Sequence, residues 1–163
     1  MDYKNSNWWG YMDDTMRDLS QQSFELLSNY QVTNPKSQQH KDYSFVVFPM
    51  AKAYEGFLKK LFLDMGLIGM AQYKGEHFRI GKVLNPNLPR RYRSGWVFEK
   101  LTAACGGEDL PLTLWETWKR ARNRVFHFFP DHAEFLTYED AGVVIGKIGE
   151  AMDRALAGCD IRG

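Results

Sequence analysis

The chain has 163 residues, of which 44% are hydrophobic, 15% aromatic and 25% charged. These values fit a single globular domain spanning residues 1–163, and they exclude a disordered chain, a fibrous repeat and a protein rich in membrane-spanning segments. The formal net charge of +1 gives no general attraction for nucleic acid, so any affinity for phosphate has to come from local clusters of cations.

The first half of the chain has apolar residues spaced three or four apart, which predicts helices. The first helix is predicted over residues 8–30, and the Asn-Pro pair at 34–35 predicts a loop after it. A second helix is predicted over residues 43–63, with Pro49 either in the first turn or at a kink. A short third helical segment is predicted around residues 67–73.

Residues 75–95 show the least regular pattern, with two prolines and repeated glycines. We expect a long connection here, and long connections are often functional. It contains Arg90, Arg91 and Arg93, which could guide RNA, although three arginines in a solvated loop are ordinary.

The second half of the chain predicts three more helices. They cover residues 97–104, residues 111–129 up to Pro130, and a last stretch to about residue 157. Thr137 and Asp140 have the spacing of a capping box at the start of the last helix. No run alternates at period two, so the predicted fold class is all-α, a bundle of about five helices.

The two cysteines, Cys105 and Cys159, lie far apart in the sequence and lack metal-ligand spacing. We expect both to be reduced. With no N-terminal signal segment in the sequence, a cytoplasmic location is the simplest expectation.

Arg122 is the unusual residue of the helix predicted over 111–129. On an ideal helical wheel it lies in the middle of the apolar stripe that carries Trp115, Trp118 and Val125. A guanidinium in that position needs a carboxylate or a phosphate as partner. From the wheel alone, a structural salt bridge and a functional site are about equally good explanations.

His127 and Asn123 lie four residues apart on the neighbouring polar arc. A histidine can take the proton of a ribose 2′-OH, an arginine can stabilise charge on the phosphate, and an asparagine can orient either group. The combination within residues 122–127 therefore suits cleavage of RNA. Three neighbouring cations are candidates for contacts with RNA: Lys119, Arg120 and Arg124.

Arg122 and His127 are about 140° apart on an ideal helix and do not point the same way. Distortion of the helix ahead of Pro130 could bring them together, and so could the same helix of a second subunit. We expect a homodimer, in which a two-fold axis gathers both copies of the motif into one cleft.

Glu55 lies three residues after Lys52 on the second helix. It could pair with Lys52 or Lys59 on the surface, which is common at this spacing, or it could face Arg122 and His127 and fix the arginine. The spacing does not choose between these arrangements.

The segment RNRVFH, residues 122–127, matches the Arg-x4-6-His motif of HEPN ribonucleases. Together with the stretches SFVVFPMAKAYEGFLKKLFLDMGLI, FRIGKVLNPNLP and LWETWKRARNRVFHFFP, it resembles the C-terminal HEPN domain of RnlA- and LsoA-type toxins of bacterial toxin–antitoxin systems. The resemblance covers about residues 43–157. Whether the chain is a stand-alone protein or part of a longer toxin stays open.

The resemblance implies a HEPN-type helical bundle and a metal-independent endoribonuclease without a cofactor, with its site at a homodimer interface. Arg122 and His127 match the motif residues. Glu55 matches the glutamate of an Arg-x-x-Glu pair on an earlier helix, while Lys52 stands where that pair has arginine, so the bidentate fork is lost. Asn123 completes the candidate site.

The resemblance also implies an inhibitor. In one HEPN branch a nucleotidyltransferase modifies a tyrosine two residues after the motif histidine, but that position is Phe129 here. A protein antitoxin is therefore the expected partner. The alternatives to an enzyme are a non-catalytic HEPN module that binds RNA or protein, and a helical dimerisation domain in which Arg122 and Glu55 form a structural pair.

Overall fold

The computed structural model describes residues 3–33, 40–127 and 135–158, without the side chains of residues 31–33, 123 and 124. Within these ranges the fold is all-α and contains no strand. The α-helices are α1 (Asn7–Tyr11), α2 (Asp14–Thr33), α3 (Ser44–Asp64), α4 (Met70–Lys74), α5 (Ile80–Val83), α6 (Val97–Ala104), α7 (Asp109–Trp118) and α8 (Tyr138–Gly158). A π-helical turn, Lys119–Arg124, continues α7, and short 3-10 turns cover Tyr3–Asn5 and Arg90–Tyr92. The loop predicted at residues 34–35 lies outside the described residues.

The predicted first helix is in fact two helices, α1 and α2, with a break at Met12 and Asp13. The Asp13 carboxylate accepts a hydrogen bond of 2.9 Å from the backbone N–H of Met16, as an N-cap residue does. The hydrophobic spacing continues across the break because both helices pack on the same core. The prediction of a single helix was therefore wrong, because the spacing of apolar residues does not detect a cap such as Asp13.

Helix α3 forms the centre of the molecule and packs against α2 on one side and α8 on the other. Pro49 lies in its second turn, where it disturbs the backbone hydrogen bonds. The buried hydroxyl of Ser23 on α2 repairs them, accepting from the N–H of Met50 at 2.9 Å and donating to the carbonyl of Val46 at 2.7 Å. This bridge joins α2 to α3 at the proline.

The register between α3 and α7 is fixed by a buried tyrosine. The Tyr54 hydroxyl donates a hydrogen bond of 3.1 Å to the backbone carbonyl of Leu114, and its burial raises the pKa of the phenol above its usual value. Leu114 is itself fully buried. Since Glu55 follows Tyr54 directly and Arg122 lies two turns after Leu114, this contact also sets the two candidate site residues opposite one another.

Residues 75–95 are more ordered than the sequence pattern suggested. They contain α5 and the 3-10 turn Arg90–Tyr92, and they place Phe78, Ile80, Leu84 and Leu88 in the core. The expectation of a long connection is confirmed in part: α5 and the turn Arg90–Tyr92 are helical, and the rest of residues 75–95 forms turns and loops between α4 and α6.

The predicted start of the last helix is confirmed. The Thr137 hydroxyl accepts from the N–H of Asp140 at 3.0 Å, and the Asp140 carboxylate accepts in return from the N–H of Thr137 at 3.3 Å. This is a reciprocal capping box. The segment before it is tied to the start of α3, because the Asp42 carboxylate accepts from the N–H groups of both Ser44 and Leu136.

Cys105 is disulfide-bonded, so the expectation of a reduced thiol was wrong for this residue. The expectation was based on the long distance in sequence between the two cysteines. In the structure Gly158, at the end of α8, packs beside the side chain of Leu110, five residues after Cys105. Cys159 lies outside the described residues. Among the helices described, none combines the length and apolar character required to cross a membrane.

Candidate active site

Arg122 forms an ion pair with Glu55, with 2.6 Å between Nη1 of the guanidinium and Oε2 of the carboxylate. The Glu55 side chain is 22% exposed and that of Arg122 is 40% exposed. Of the arrangements that the sequence left open for Glu55, the structure therefore has the one that faces Arg122. A guanidinium carries five N–H donors, so one contact through Nη1 leaves it with further donors at an accessible surface.

The helix that carries Arg122 changes its hydrogen-bond pattern at the motif. It is α-helical only as far as Trp118, and Lys119–Arg124 is a π-helical turn, in which bonds close over five residues. The prediction of a regular helix to residue 129 was wrong here, because the spacing of apolar residues does not show where a single helical turn becomes wider. Phe129 lies outside the described residues.

The chain leaves the helix two residues after Arg122, where the π-helical turn ends at Arg124. The Arg122 carbonyl accepts backbone hydrogen bonds from Val125 and, at 3.2 Å, from Phe126, which makes a tight turn. His127 follows this turn with an exposed side chain. The 140° separation calculated for an ideal helix therefore does not describe Arg122 and His127, because the helix is distorted ahead of Pro130, which is one of the alternatives that the sequence left open.

Two phenylalanines, which the sequence analysis did not single out, extend the site along α3. Phe126 packs edge-on against Phe48, with 5.1 Å between ring centroids. The Lys52 ammonium lies 5.7 Å from the centroid of the Phe48 ring. The spacing of Phe48, Lys52 and Glu55 at i, i+4 and i+7 is the signal that could have placed Phe48 on this face.

The other candidate residues are distributed around the motif. Lys119 lies 3.6 Å from the Glu116 carboxylate, and Arg120 is exposed. Both line a cleft of about 770 Å³ between the π-helical turn and α8, on which Lys147 also borders. The side chains of Asn123 and Arg124 are not among those described, so their predicted roles stay predictions.

The three arginines of residues 90–93 are not equivalent. Arg90 and Arg91 are exposed, and the Arg91 guanidinium lies 4.7 Å from the centroid of the Tyr92 ring. Arg93 is half-buried, lies 4.0 Å from the Trp96 ring centroid and donates to the Leu88 carbonyl at 2.8 Å. Arg93 therefore holds its own loop together, and only the other two present charge to solvent.

The described residues contain no cluster of three or more histidine, cysteine, aspartate or glutamate side chains placed to hold a metal ion. What the site does present is an arginine–carboxylate pair, a histidine one turn away along the chain, and an aromatic surface with a lysine. An arginine–carboxylate pair can bind a phosphate, and a histidine can accept or donate a proton.

No protein-family model, no curated protein and no solved structure matches this chain. The likeness to HEPN ribonucleases therefore depends on the sequence motif and its surroundings.

Proposed function

We propose that this protein is a HEPN-type, metal-independent endoribonuclease that acts as a toxin. The observation that supports this most is the 2.6 Å pair between Glu55 and Arg122, since it joins the two segments that the motif requires across two helices. The pair is also partly exposed, so a phosphate can approach it.

In the proposed reaction His127 accepts the proton of a ribose 2′-OH. The 2′-oxygen then attacks the adjacent phosphorus, the bond from phosphorus to the 5′-oxygen breaks, and the leaving oxygen takes up a proton. Arg122 stabilises the charge that develops on the phosphate, while Glu55 holds the guanidinium in place. Lys52 adds positive charge, and Asn123 is assigned the role of orienting His127 or Arg122. The products are a 2′,3′-cyclic phosphate and a 5′-hydroxyl.

The proposed working unit is a homodimer whose interface includes the exposed face of α3. Phe45 and Phe48 on that face are 41% and 47% exposed, and neighbouring exposed apolar side chains are typical of a contact surface. Phe48 contacts Phe126 inside the motif, so a second copy seated here would lie beside both site helices.

The inhibitor proposed for the toxin is a protein antitoxin that covers the same site. A cytoplasmic location, where RNA is accessible, also stays a prediction. Disulfides are rare in the cytosol, and Cys105 is disulfide-bonded. The cysteines therefore do not support a cytoplasmic location, and the proposed RNA substrate is its support.

The second candidate is a HEPN module that binds RNA or protein without cleaving it. The position of Lys52 favours it, because its ammonium lies against the Phe48 ring, and a lysine lacks the two-pronged geometry of the arginine found at this position in the family. This candidate predicts RNA binding with no cleavage by any variant.

The direct test is cleavage of RNA by purified protein in EDTA. We expect the wild type to cleave, and His127→Ala to lose at least about 100-fold in rate, because general-base catalysis contributes 10²–10⁴-fold. Lys100→Ala is the control, since Lys100 is exposed on α6 outside the candidate site and the proposed dimer face, and it should cleave as the wild type does. Equal rates for His127→Ala and wild type, with both proteins folded, would refute the assignment.

A further inference from the structure

Positive charge is concentrated in residues 74–93, which we call the basic lobe. This segment has six lysine and arginine residues against one carboxylate, Glu76, and so carries a net charge of +5. Because the whole chain carries +1, the other residues together carry −4. The cations of the basic lobe are Lys74, Arg79, Lys82, Arg90, Arg91 and Arg93.

All of these cations except Arg93 are exposed. In the part of the chain that the structure describes, none of the six forms an ion pair with a carboxylate. Like charges that lie close together repel each other, as Arg79 and Lys82 do at the cavity that both line, and an anion that binds there relieves the repulsion. The basic lobe therefore suits a polyanion.

The basic lobe also has a concave surface. A cavity of about 350 Å³ is lined by Arg79, Lys82 and His77 together with the polar side chains of Gln72 and Ser94. This volume falls in the range of ligand sites and suits one nucleotide unit. Two cations and several polar groups at one concave surface match a phosphate and its sugar.

A close contact places the basic lobe next to the candidate active site. A Cβ added to Gly81 would lie 2.2 Å from Cη2 of Trp118, so the Trp118 ring packs directly on the α5 backbone. Arg79 and Lys82 flank Gly81, and Arg122 follows Trp118 by four residues. The segment that lines the cavity therefore contacts the helix that carries Arg122, about one turn before that residue.

We propose that the basic lobe binds the backbone of single-stranded RNA on one side of the cleaved bond, with Arg79 and Lys82 contacting phosphates. That the bound strand is RNA rests on the proposed function. A single strand is favoured over a duplex because Tyr92, which is 47% exposed and carries Arg91 over its ring, offers a surface on which an unpaired base can stack.

The test measures how binding depends on salt. Wild-type protein is titrated with a fluorescent, fully 2′-O-methylated RNA of about 12 nucleotides, a length typical of single-strand sites, which cannot be cleaved through a 2′-OH. Each phosphate contact with a single strand contributes about 0.7 to the slope of log K against log salt. The Arg79→Gln/Lys82→Gln double variant should therefore have a slope shallower by about 1.4.

The matched control is Lys4→Gln/Lys100→Gln, which removes the same charge from exposed positions outside the basic lobe. It should bind as the wild type does, and thermal unfolding should show that both double variants remain folded. A slope unchanged in the basic-lobe variant, or reduced equally in the control, would overturn the proposal. So would an equal loss of affinity for duplex DNA of the same length.

The outcome is separable from that of the proposed function. If His127→Ala abolishes cleavage but the basic-lobe variant binds normally, the ribonuclease stands and the basic lobe has no role in binding. If the wild type never cleaves but the basic-lobe variant loses affinity, the basic lobe stands and the catalytic proposal fails.

Discussion

Arg122 lies on the apolar stripe of its helix, and the sequence predicted that its charge would need an anion. The structure provides Glu55 on α3 at 2.6 Å. The need for a partner was predictable because an arginine is always charged, but the partner itself was not. Lys52 and Lys59 offered Glu55 equally good local spacing, and only the packing of α3 against α7 brings Arg122 closer to it.

A catalytic and a structural role for this pair predict different results for Arg122→Ala. Because both side chains are partly exposed, the unfolding free energy in urea should fall by less than about 1 kcal/mol. RNA cleavage should fall about 10²–10³-fold, as expected for loss of a group that stabilises transition-state charge.

Arg154→Ala is the control for this experiment, since Arg154 pairs with Asp109 at the same distance of 2.6 Å but outside the site. It should change stability by a similar small amount and leave cleavage unaffected. A loss of several kcal/mol in Arg122→Ala, with activity falling only as far as the folded fraction falls, would instead identify a structural pair.

At the scale of elements, the sequence predicted α3, α6 and α8 nearly to the residue, because each has a clear apolar face and a recognisable end. Its errors have local causes. An aspartate cap divides the first helix at residue 13, a π-helical turn follows Trp118, and α5 lies among prolines and glycines. The site was predicted as a set of residues, but its geometry depends on that π-helical turn, which periodicity cannot reveal.

The Ser23 hydroxyl, which bridges α2 to α3 at Pro49, should be important for stability. In Ser23→Ala the Met50 N–H and the Val46 carbonyl lose their partner in a fully buried position, and the ring of Pro49 prevents the regular helix from reforming. We expect a loss of about 2–4 kcal/mol in urea unfolding, the cost of unsatisfied buried groups.

Ser20→Ala provides the comparison. Ser20 is equally buried, but its hydroxyl bonds the Met16 carbonyl one turn back in the same helix, where helical hydrogen bonding already serves that group. Its loss should be below about 1 kcal/mol. If both serine variants were destabilised equally, the bridge at Pro49 would have no special role.

At the scale of the whole molecule, the active unit is proposed to be a dimer formed through the aromatic face of α3. Light scattering should show a dimer for the wild type and a monomer with reduced cleavage for Phe48→Ser, because Phe48 is a large apolar side chain that is 47% exposed. Val143→Ser on α8 is the control, being 49% exposed elsewhere, and it should stay dimeric. A wild type that is monomeric and fully active would exclude the composite site.

In the proposed reaction, the Glu55–Arg122 pair and His127 cleave RNA through its own 2′-OH. The most direct measurement uses one RNA oligonucleotide in EDTA and a second that differs only by a 2′-deoxyribose at the cleaved position, with the product ends identified by mass spectrometry. We expect a 2′,3′-cyclic phosphate and a 5′-hydroxyl from the first oligonucleotide and no cleavage of the second. Products with 5′-phosphate ends, or equal cleavage of both oligonucleotides, would contradict it.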